Sequence, residues 1–276
     1  MASDKKIILI TGGNTGIGFE AVKALYKTDT PYEIVIGCRT VAKGETAIEE
    51  LKKEVPQSPS TLSTLQVDLS SDESLEKAAE TMTSKHGRID TLINNGGAAF
   101  DAELEAKRMS MREAYNKSWD TNVTGTHILT TLAVPLLLKS TDPRLLFLTS
   151  GTSALAETER LDLPAFVRLN GSPPAGWPKQ PVGPTGLNVT AYRSSKTGLN
   201  MLMREWHKIL LNDGVKVWCI SPGFLATGLN GANAENLKKA GARDPSLGGI
   251  FIKDVVQGKR DDHVGKAIRS DSIQPW

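Results

Sequence analysis

The sequence has few of the features that mark extracellular, metal-binding or nucleic-acid-binding proteins. Its 276 residues include two cysteines, Cys38 and Cys219, which excludes a disulfide framework and is typical of reduced residues in or near a core. The 33 basic and 31 acidic residues leave a net charge of +2, so no charge excess favours nucleic acid or an anionic membrane. A hydrophobic content of 39% with 23% charged residues instead indicates a folded globular chain.

Long hydrophobic runs are also missing. The apolar run Ile7–Ile10 is too short for the core of a signal peptide. The longest apolar stretch, 128–138, contains Pro135 and falls well short of the ~20 residues of a membrane span. We therefore expect a cytoplasmic protein that contacts neither membrane nor nucleic acid. The four histidines show no metal-ligand spacing, so we expect no metal.

Short apolar segments alternate with longer helical patterns along most of the chain. Each apolar segment is closed by Gly, Asn, Asp, Ser or Thr, as expected for strands buried on both faces. This alternation predicts an α/β fold, one domain over 1–276 with a doubly wound parallel sheet. The predicted strands are Ile7–Thr11, Glu33–Gly37, Leu62–Val67, Thr91–Asn94, Leu145–Thr149, Val215–Ser221 and a short one at Lys266–Arg269. The predicted helices are Gly18–Lys27, Val41–Val55, Ser74–His86 with Asp72 or Ser74 as its cap, Met109–Lys139, Tyr192–Asn212, and one from Asp244-Pro245 to Gln257.

Two stretches interrupt the alternation. Residues 151–189 carry six prolines and form a long insert, and long loops in compact domains are usually functional or disordered. Residues 224–243 follow a strand end, where a lid loop over a ligand would lie.

A glycine-rich loop closes the first predicted strand. The sequence from Thr11 to Gly18 reads TGGNTGIG and leads into a helix, so backbone N–H groups and the helix dipole would favour a pyrophosphate. A Walker A loop would end in Gly-Lys-Ser/Thr, and the absence of that ending argues against ATP binding by this loop. A plain tight turn is the alternative.

The end of the second predicted strand bears on which dinucleotide would bind. An NAD site places an acidic residue there, whereas an NADP site offers arginine to the 2′-phosphate. Here Cys38 is followed by Arg39 and Thr40, which favours NADP(H) because a guanidinium binds phosphate with charge-assisted hydrogen bonds. A solvated arginine in a loop is the alternative.

Ser150 and the pair Tyr192 and Lys196 are candidate catalytic residues. Residues four apart share a helix face, so Tyr192 and Lys196 can contact the same ligand. A tyrosine with a pKa near ~10 needs a stabilised anion to act near neutral pH, and a nearby ammonium provides that stabilisation. The spacing by itself is common and carries weight here because the other motifs accompany it.

Taken together, these motifs resemble the short-chain dehydrogenase/reductase family over nearly the whole chain. Within that family the sequence looks most like monomeric carbonyl reductases and fungal-type NADPH-dependent reductases. The resemblance implies a single Rossmann-type domain with a long insert before the catalytic helix. The motifs that carry it are Thr11–Gly18, Asp68-Leu69, Asn94-Asn95-Gly96-Gly97, Asn122-Val123-Thr124-Gly125, Ser150, Tyr192 with Lys196, and Pro222-Gly223 with Thr227.

The resemblance implies a role for each catalytic candidate. Tyr192 would donate the proton to a carbonyl oxygen, and Lys196 would lower the Tyr192 pKa and hold the nicotinamide ribose. Ser150 would polarise the substrate carbonyl, and Asn122 would help to hold a water behind Lys196. A structural asparagine that kinks a helix is the alternative for Asn122.

The resemblance also implies a set of NADP(H)-binding residues. Asp68 would meet the adenine, Asn95 and Gly96 the adenosine-side ribose, and Leu225 and Thr227 the carboxamide end. A solvated strand-end carboxylate is the alternative for Asp68. The full predicted set is Thr11, Gly12, Asn14, Thr15, Gly16, Ile17, Gly18, Arg39, Thr40, Asp68, Leu69, Asn95, Gly96, Tyr192, Lys196, Pro222, Gly223, Leu225 and Thr227.

Three departures from the family pattern stand out. Gly96 replaces the usual alanine, and Thr15 stands where many carbonyl reductases carry a phosphate-binding lysine. That second change leaves the NADP preference to Arg39 and Thr40. The third is the long separation between Ser150 and Tyr192, which reshapes the substrate pocket and allows a monomer, with a homodimer as the alternative.

The expected activity is NADPH-dependent reduction of a ketone or aldehyde. Candidate substrate contacts are Thr152, Phe166, Trp177, Phe224 and Leu225, and their aromatic character favours a bulky apolar or aromatic carbonyl compound. Phe166 and Trp177 have an alternative role, to fix the insert to the body. Two other functions stay open: an NADP-dependent alcohol dehydrogenase of a secondary-metabolite pathway, and a non-catalytic nicotinamide-sensing regulator.

Overall fold

A predominantly parallel β-sheet runs through the centre of the molecule. The computed structural model describes residues 5–179, 189–231 and 233–276. Across these residues the strand order is β3-β2-β1-β4-β5-β6-β7-β8, parallel throughout except for the antiparallel pair β7 and β8. The strands are β1 Lys6–Thr11, β2 Tyr32–Cys38, β3 Thr61–Gln66, β4 Thr91–Asn94, β5 Arg144–Leu148, β6 Lys216–Ile220, β7 Ala267–Ile268 and β8 Ile273–Gln274.

Helices connect the strands and cover both faces of the sheet. Among the described residues, no helix is both long and apolar enough to cross a bilayer. The helices are α1 Gly16–Tyr26, α2 Val41–Glu54, α3 Asp72–Lys85, α4 Asp101–Glu105, α5 Met111–Trp119, α6 Gly125–Leu137, α7 Pro164–Asn170, α8 Thr190–Leu210, α9 Ala234–Lys239 and α10 Ser246–Val256.

The alternation of side chains along each strand builds two hydrophobic cores. In β1, Ile7 and Leu9 join the core covered by α3, α6 and α8, whereas Ile8 and Ile10 join the core covered by α1, α2 and α10. A strand buried on both faces needs apolar residues at successive positions, which is the pattern seen in the sequence. The predicted doubly wound α/β fold is confirmed. The two cysteines are free and buried, as expected.

The predicted strands all form, with ends displaced by at most one residue, but three helix predictions need correction. The predicted helix Met109–Lys139 is divided, because a π-turn over Asp120–Thr124 separates α5 from α6. The cap of α3 is Ser71, whose hydroxyl accepts a hydrogen bond from Ser74 N, rather than Asp72 or Ser74. The first helix begins at Gly16 rather than Gly18.

Four short elements were not predicted at all. The helices α4, α7 and α9 span five to seven residues, which is too short for a helical period to emerge from the sequence. The fourth element, β8, contains two residues and depends on its pairing with β7. Part of the predicted insert, 180–188, lies outside the described residues.

A charge cluster joins the amino-terminal ends of β5 and β6 to the loop after α10. Arg144 has a side chain only 5% exposed and pairs with Asp142 and Asp261, and Lys216 contacts both carboxylates. Burial raises the pKa of Asp142, but hydrogen bonds from Lys6 and Lys216 and the Arg144 charge together hold it well below its usual range. Because the pKa is depressed, this stabilisation is present at neutral pH and is lost as the pH falls below the ordinary carboxyl range.

We expect Arg144→Met to lower the free energy of unfolding by about 3 kcal/mol, since it leaves partly buried carboxylates without their central cation. The cluster lies at the opposite edge of the sheet from the strand carboxyl ends, so kcat should not change. Denaturant unfolding at pH 7 measures the first effect. Arg108→Met, which removes an exposed pair with Glu103, is the control and should leave stability unchanged. Equal stability of both variants would contradict the interpretation of the cluster.

Candidate active site

The candidate site lies at the carboxyl edge of the sheet. The neighbouring parallel strands β1, β4, β5 and β6 all end there, and loops that follow such strands converge on one crevice. The amino-terminal half of α8 packs beside this edge. The structure thereby brings together the four predicted catalytic residues Asn122, Ser150, Tyr192 and Lys196.

The side chains of Ser150 and Tyr192 lie close together, near enough for the Ser150 hydroxyl to act on the Tyr192 pKa. The Ser150 hydroxyl also lies 2.9 Å from Thr152 Oγ1 and accepts a hydrogen bond from Thr152 N at 3.2 Å. Burial raises the pKa of Tyr192 to about 12, and the Ser150 hydroxyl opposes that rise. The phenol therefore carries its proton at neutral pH, close to a second hydroxyl.

Lys196 is a buried ammonium next to this pair. Its side chain is 4% exposed, its Nζ donates to the Leu148 carbonyl at 2.8 Å, and Nζ lies 5.8 Å from the centre of the Tyr192 ring. Burial lowers the pKa of Lys196 to about 8, partly countered by Cys219. Gly97 permits this packing, since a Cβ there would lie 2.9 Å from Asn122 Oδ1 and 3.2 Å from Lys196 Nζ.

Asn122 lies inside the π-turn and ties two parts of the site together. Its Oδ1 accepts from Ala98 N at 2.8 Å, and its Nδ2 donates to the Ala98 carbonyl at 2.8 Å and to Ser195 Oγ at 2.9 Å. The loop after β4 is thereby linked to α8. The side chain is thus engaged in structural contacts, and its proposed role in holding a water stays a prediction.

A buried carboxylate holds the start of the catalytic helix. Asp101 in α4 is 3% exposed and accepts hydrogen bonds from Ala191 N at 2.8 Å and Tyr192 N at 3.0 Å. An acceptor at this position satisfies N–H groups that the first helical turn leaves free, and its charge suits the helix dipole. Burial raises the pKa of Asp101, although the backbone hydrogen bonds oppose the rise. Asp101 therefore positions the backbone of Tyr192.

We expect Asp101→Ala to destabilise the protein by about 2 kcal/mol through loss of the cap, and to lower kcat about tenfold through displacement of Tyr192. Asp101→Asn retains a capping oxygen and should restore most of the activity. Thermal unfolding and steady-state kinetics measure the two effects. Ser110→Ala removes the cap of α5, so it should cost stability and leave kcat unchanged. A similar kcat for Asp101→Ala and Ser110→Ala would contradict this role.

The glycine-rich loop is held against the loop after β4. Asn95 Nδ2 donates to the carbonyls of Thr11 and Gly12, at 2.8 and 3.3 Å, and Thr11 Oγ1 accepts from Gly96 N at 2.8 Å. Gly18 has to be glycine here, because a Cβ would lie 2.3 Å from the Gly12 carbonyl oxygen. The Asn95 amide is thus engaged with the loop, and its predicted ribose contact stays a prediction.

The start of α1 fits a phosphate group. The helix begins at Gly16, and the side chain of the preceding Thr15 supplies no cap, so its first N–H groups are available to an anion. A Cβ at Gly16 would lie 3.8 Å from Thr227 of the loop after β6. The predicted residues Gly16 and Thr227 are therefore close neighbours, although they come from different loops. Asn14, Ile17 and Gly18 belong to the same turn.

Cationic and hydroxyl groups surround the end of β2. Arg39 and Thr40 are exposed, and Thr40 precedes α2 without capping it through its side chain. Lys43, in the first turn of α2, lines a cleft with Asn14 and Thr15 of the glycine-rich loop. Lys43 was not among the predicted cofactor-binding residues. Its position four residues after Arg39, at the start of a predicted helix, could have indicated such a role.

Asp68 lies at the carboxyl end of β3 and is close enough to Arg39 for their charges to interact. Its Oδ1 accepts hydrogen bonds from Ser70 N at 3.0 Å and Ser70 Oγ at 2.7 Å. Burial raises the pKa of Asp68, but the Ser70 hydrogen bonds and Arg39 outweigh it and lower the pKa. Asp68 is therefore ionised, and one of its carboxylate oxygens already accepts hydrogen bonds from its own loop. The neighbouring Leu69 is buried in the core.

The loop after β6 closes the other end of the crevice. Pro222 and Gly223 follow one residue after the end of β6, and Thr227 N donates to the Leu225 carbonyl at 2.9 Å. The side chain of Leu225 is buried and packs near Gly248 of α10. Within the predicted lid 224–243, the described residues include the helix α9.

The predicted aromatic contacts have different surroundings. Phe166 packs under Arg160, whose guanidinium carbon lies 4.0 Å from the ring centre, so it stabilises the segment around α7. Trp177 is 88% exposed, and Phe224 is 46% exposed with Arg168 at 5.9 Å from its ring centre. Phe224 and Thr152 therefore fit a substrate-facing role better than Phe166.

Asp101 illustrates a contact that sequence reasoning could not find. It lies in an unpredicted five-residue helix and reaches a backbone 90 positions away, at Ala191. No local pattern encodes that pairing.

The sheet is doubly wound, and a glycine-rich loop follows β1. Ser150, Tyr192 and Lys196 lie together at the end of β5 and the start of α8. These features define a dinucleotide-binding oxidoreductase. Among the described residues, no three His, Cys, Asp or Glu side chains are grouped to hold a metal ion. The sequence profile of the short chain dehydrogenases matches residues 6–159 and 184–238. The chain belongs to the short chain dehydrogenase family, whose members use nicotinamide cofactors.

Named relatives cover nearly the whole chain. It is 46% identical over 276 residues to the short-chain dehydrogenase/reductase tropE of Talaromyces stipitatus, covering 99% of each chain. It is 26% identical over 298 residues to carbonyl reductase [NADPH] 1 of Rattus norvegicus, covering both in full. The fold is similar to that of a 3-oxoacyl-[acyl-carrier protein] reductase from Brucella melitensis in complex with NAD, with a TM-score of 0.72, 20% identity and coverage of 98% and 97%.

Proposed function

We propose that the protein is an NADPH-dependent reductase of a bulky, apolar or aromatic ketone or aldehyde, with Tyr192 as the proton donor. The observation that carries this proposal is that the Tyr192 and Ser150 hydroxyl groups are neighbours and that the buried Lys196 ammonium lies 5.8 Å from the centre of the Tyr192 ring. Two adjacent hydroxyl groups can both donate to one carbonyl oxygen, which polarises the carbonyl and orients it.

Ser150, Tyr192 and Lys196 have different roles in the proposed reduction. Ser150 holds the substrate carbonyl oxygen, and Tyr192 transfers its phenolic proton to that oxygen as charge develops there. Lys196 stabilises the phenolate that remains and binds the ribose next to the nicotinamide. When bound, the nicotinamide cofactor supplies the hydride.

Several groups near the end of β2 support NADPH over NADH. Arg39 and Lys43 supply two cations, and Thr40 with the first N–H groups of α2 supplies neutral donors. A phosphate is bound well by such a combination, whereas a ribose hydroxyl would gain little from it. No acidic residue follows β2 to accept from a 2′-hydroxyl. The NADPH in the name of the rat relative agrees with this preference.

Exposed apolar side chains support a bulky apolar substrate. Leu155, Leu163 and Val167 follow Ser150 in the chain and are exposed, as is Phe224 after β6. Apolar side chains grouped around a few polar groups are typical of ligand-binding clefts.

A panel of aromatic ketones, quinones and polyketide-like carbonyl compounds tests the proposal. We expect oxidation of NADPH with at least one bulky aromatic carbonyl compound and much slower oxidation of NADH. The matching alcohols with NADP⁺ form the second arm of the assay. Turnover in the second arm alone would favour the alcohol dehydrogenase. Tight NADPH binding without turnover in either arm would favour the nicotinamide-sensing regulator.

A further inference from the structure

The carboxyl-terminal segment folds back onto the loop that carries Ser150. The strand β8 pairs with β7, and a turn closed by a hydrogen bond from Arg269 N to the Ser272 carbonyl at 2.8 Å connects them. Ala156 N, six residues after Ser150, donates to the Trp276 carbonyl at 2.8 Å. The segment is therefore attached to the Ser150 loop at more than one point.

Gln274 makes the most direct of these contacts. Gln274 is only 1% exposed. Its Nε2 donates to the Ser150 carbonyl at 3.1 Å and to Ser153 Oγ at 3.5 Å. Its Oε1 accepts from Arg269 Nε at 3.3 Å. Both ends of the amide are thus in use, which fixes its orientation.

An ion pair supports this amide from the other side. Arg269 binds the buried carboxylate of Glu157, at 3.1 Å between Nη1 and Oε1 and through a second hydrogen bond from Nη2 to Oε2. Glu157 belongs to the same loop as Ser150. The bidentate geometry holds the Arg269 guanidinium, and thereby Gln274, in one position relative to that loop.

The Ser150 carbonyl has two other donors, but both are local. Ser153 N donates at 3.1 Å and Ser153 Oγ at 2.6 Å, and both belong to the turn that Ser150 begins. The rest of the turn is tied to α8, where Arg193 Nε donates to the Thr152 carbonyl and Thr197 Oγ1 donates to the Ser153 carbonyl, both at 2.9 Å. Gln274 donates to the Ser150 carbonyl itself from a strand of the sheet, 124 positions away, and so connects that carbonyl to the body of the protein.

We propose that Gln274 is a positioning residue for Ser150. By holding the Ser150 carbonyl, it keeps the Ser150 hydroxyl directed at Tyr192 and at the substrate oxygen. The inference rests on the proposed function for the role of Ser150 in turnover, but the link from Gln274 to Tyr192 is a property of the free protein. Burial raises the Tyr192 pKa and the Ser150 hydroxyl opposes that rise, so loss of Gln274 should move the pH dependence of kcat.

The test compares Gln274→Ala and Gln274→Glu with Ser272→Ala, an exposed position in the same turn. Glutamate keeps the shape of the side chain but loses the donor to the Ser150 carbonyl. Because one hydrogen bond is worth about 1 kcal/mol, we expect both Gln274 variants to lower kcat about five- to tenfold. The Kd for NADPH should change less than about twofold, and the alkaline limb of the kcat profile should move to higher pH. Ser272→Ala should match the wild type in every readout.

Amide hydrogen exchange of the protein without cofactor separates this inference from the proposed function, because it needs no substrate. Ser153 N donates to the Ser150 carbonyl that Gln274 holds, so its exchange reports on the turn. We expect Gln274→Ala to speed exchange at Ser153 and Ser272→Ala to leave it unchanged. Unchanged exchange at Ser153, or a fall in kcat accompanied by losses of NADPH affinity and thermal stability, would overturn the positioning role.

Discussion

Tyr192→Phe should lower kcat about a thousandfold, within the range by which a positioned general acid accelerates proton transfer. Phenylalanine keeps the ring in its half-buried place on α8 and removes only the hydroxyl, which lies near Ser150. Lys196 loses no hydrogen bond, because its Nζ donates to the Leu148 carbonyl. Single-turnover kinetics with saturating NADPH measure the loss.

Binding of the cofactor provides the comparison. The Kd for NADPH, followed by its fluorescence, should change less than about threefold, because the variant removes a group that acts mainly on the substrate oxygen. Tyr115→Phe removes the hydroxyl of a tyrosine on the surface of α5 and should leave both kcat and Kd unchanged. Residual reduction above about a tenth of the wild-type rate would rule out Tyr192 as the proton donor.

Arg39→Asp should shift the ratio of kcat/KM for NADPH to that for NADH by about 100-fold towards NADH. Charge-assisted hydrogen bonds contribute about 1.5–3 kcal/mol each, and a carboxylate at this place would also repel a 2′-phosphate. The same carboxylate can accept from a ribose 2′-hydroxyl, so part of the shift should be a gain with NADH. Steady-state kinetics with each cofactor and one carbonyl substrate give the ratio.

Lys43 supplies an internal check on this prediction. Lys43→Met should move the ratio in the same direction by about tenfold, since one cation is lost without a charge reversal. Lys53→Asp makes the same change of charge as Arg39→Asp, but near the other end of α2, and should leave the ratio unchanged. If Arg39→Asp and Lys53→Asp behave alike, the 2′-phosphate does not lie at the end of β2.

The regular strands and helices could be predicted from the sequence, because their hydrophobic patterns are local. Features that depend on contacts between residues far apart in the sequence could not. Buried strands such as β1 can be predicted from the sequence, because both faces of Ile7–Ile10 are buried and all four residues must be apolar. The division of the predicted helix Met109–Lys139 cannot be predicted in this way, because the helical pattern of apolar residues continues through the π-turn. Its position coincides with Asn122, whose amide pairs with Ala98 outside the helix.

The candidate site shows the same contrast. Tyr192 and Lys196 are four positions apart on one helix, so their proximity follows from helix geometry. The contacts of Asp101 with α8 and of Gln274 with Ser150 join residues about 90 and 124 positions apart, and tertiary packing alone creates them. Sequence reasoning therefore finds the groups that react before it finds the groups that position them.

Transfer of deuterium from cofactor to product distinguishes a carbonyl reductase from a protein that only binds NADPH. The protein is incubated with NADPH deuterated at the reactive nicotinamide carbon and with the aromatic carbonyl compound that the panel selects, and the alcohol is analysed by mass spectrometry. We predict one deuterium on the new carbinol carbon with the wild type, and about a thousandfold slower formation of the same product with Tyr192→Phe. Tight NADPH binding with no deuterated alcohol from any carbonyl compound in the panel would contradict the assignment as a carbonyl reductase.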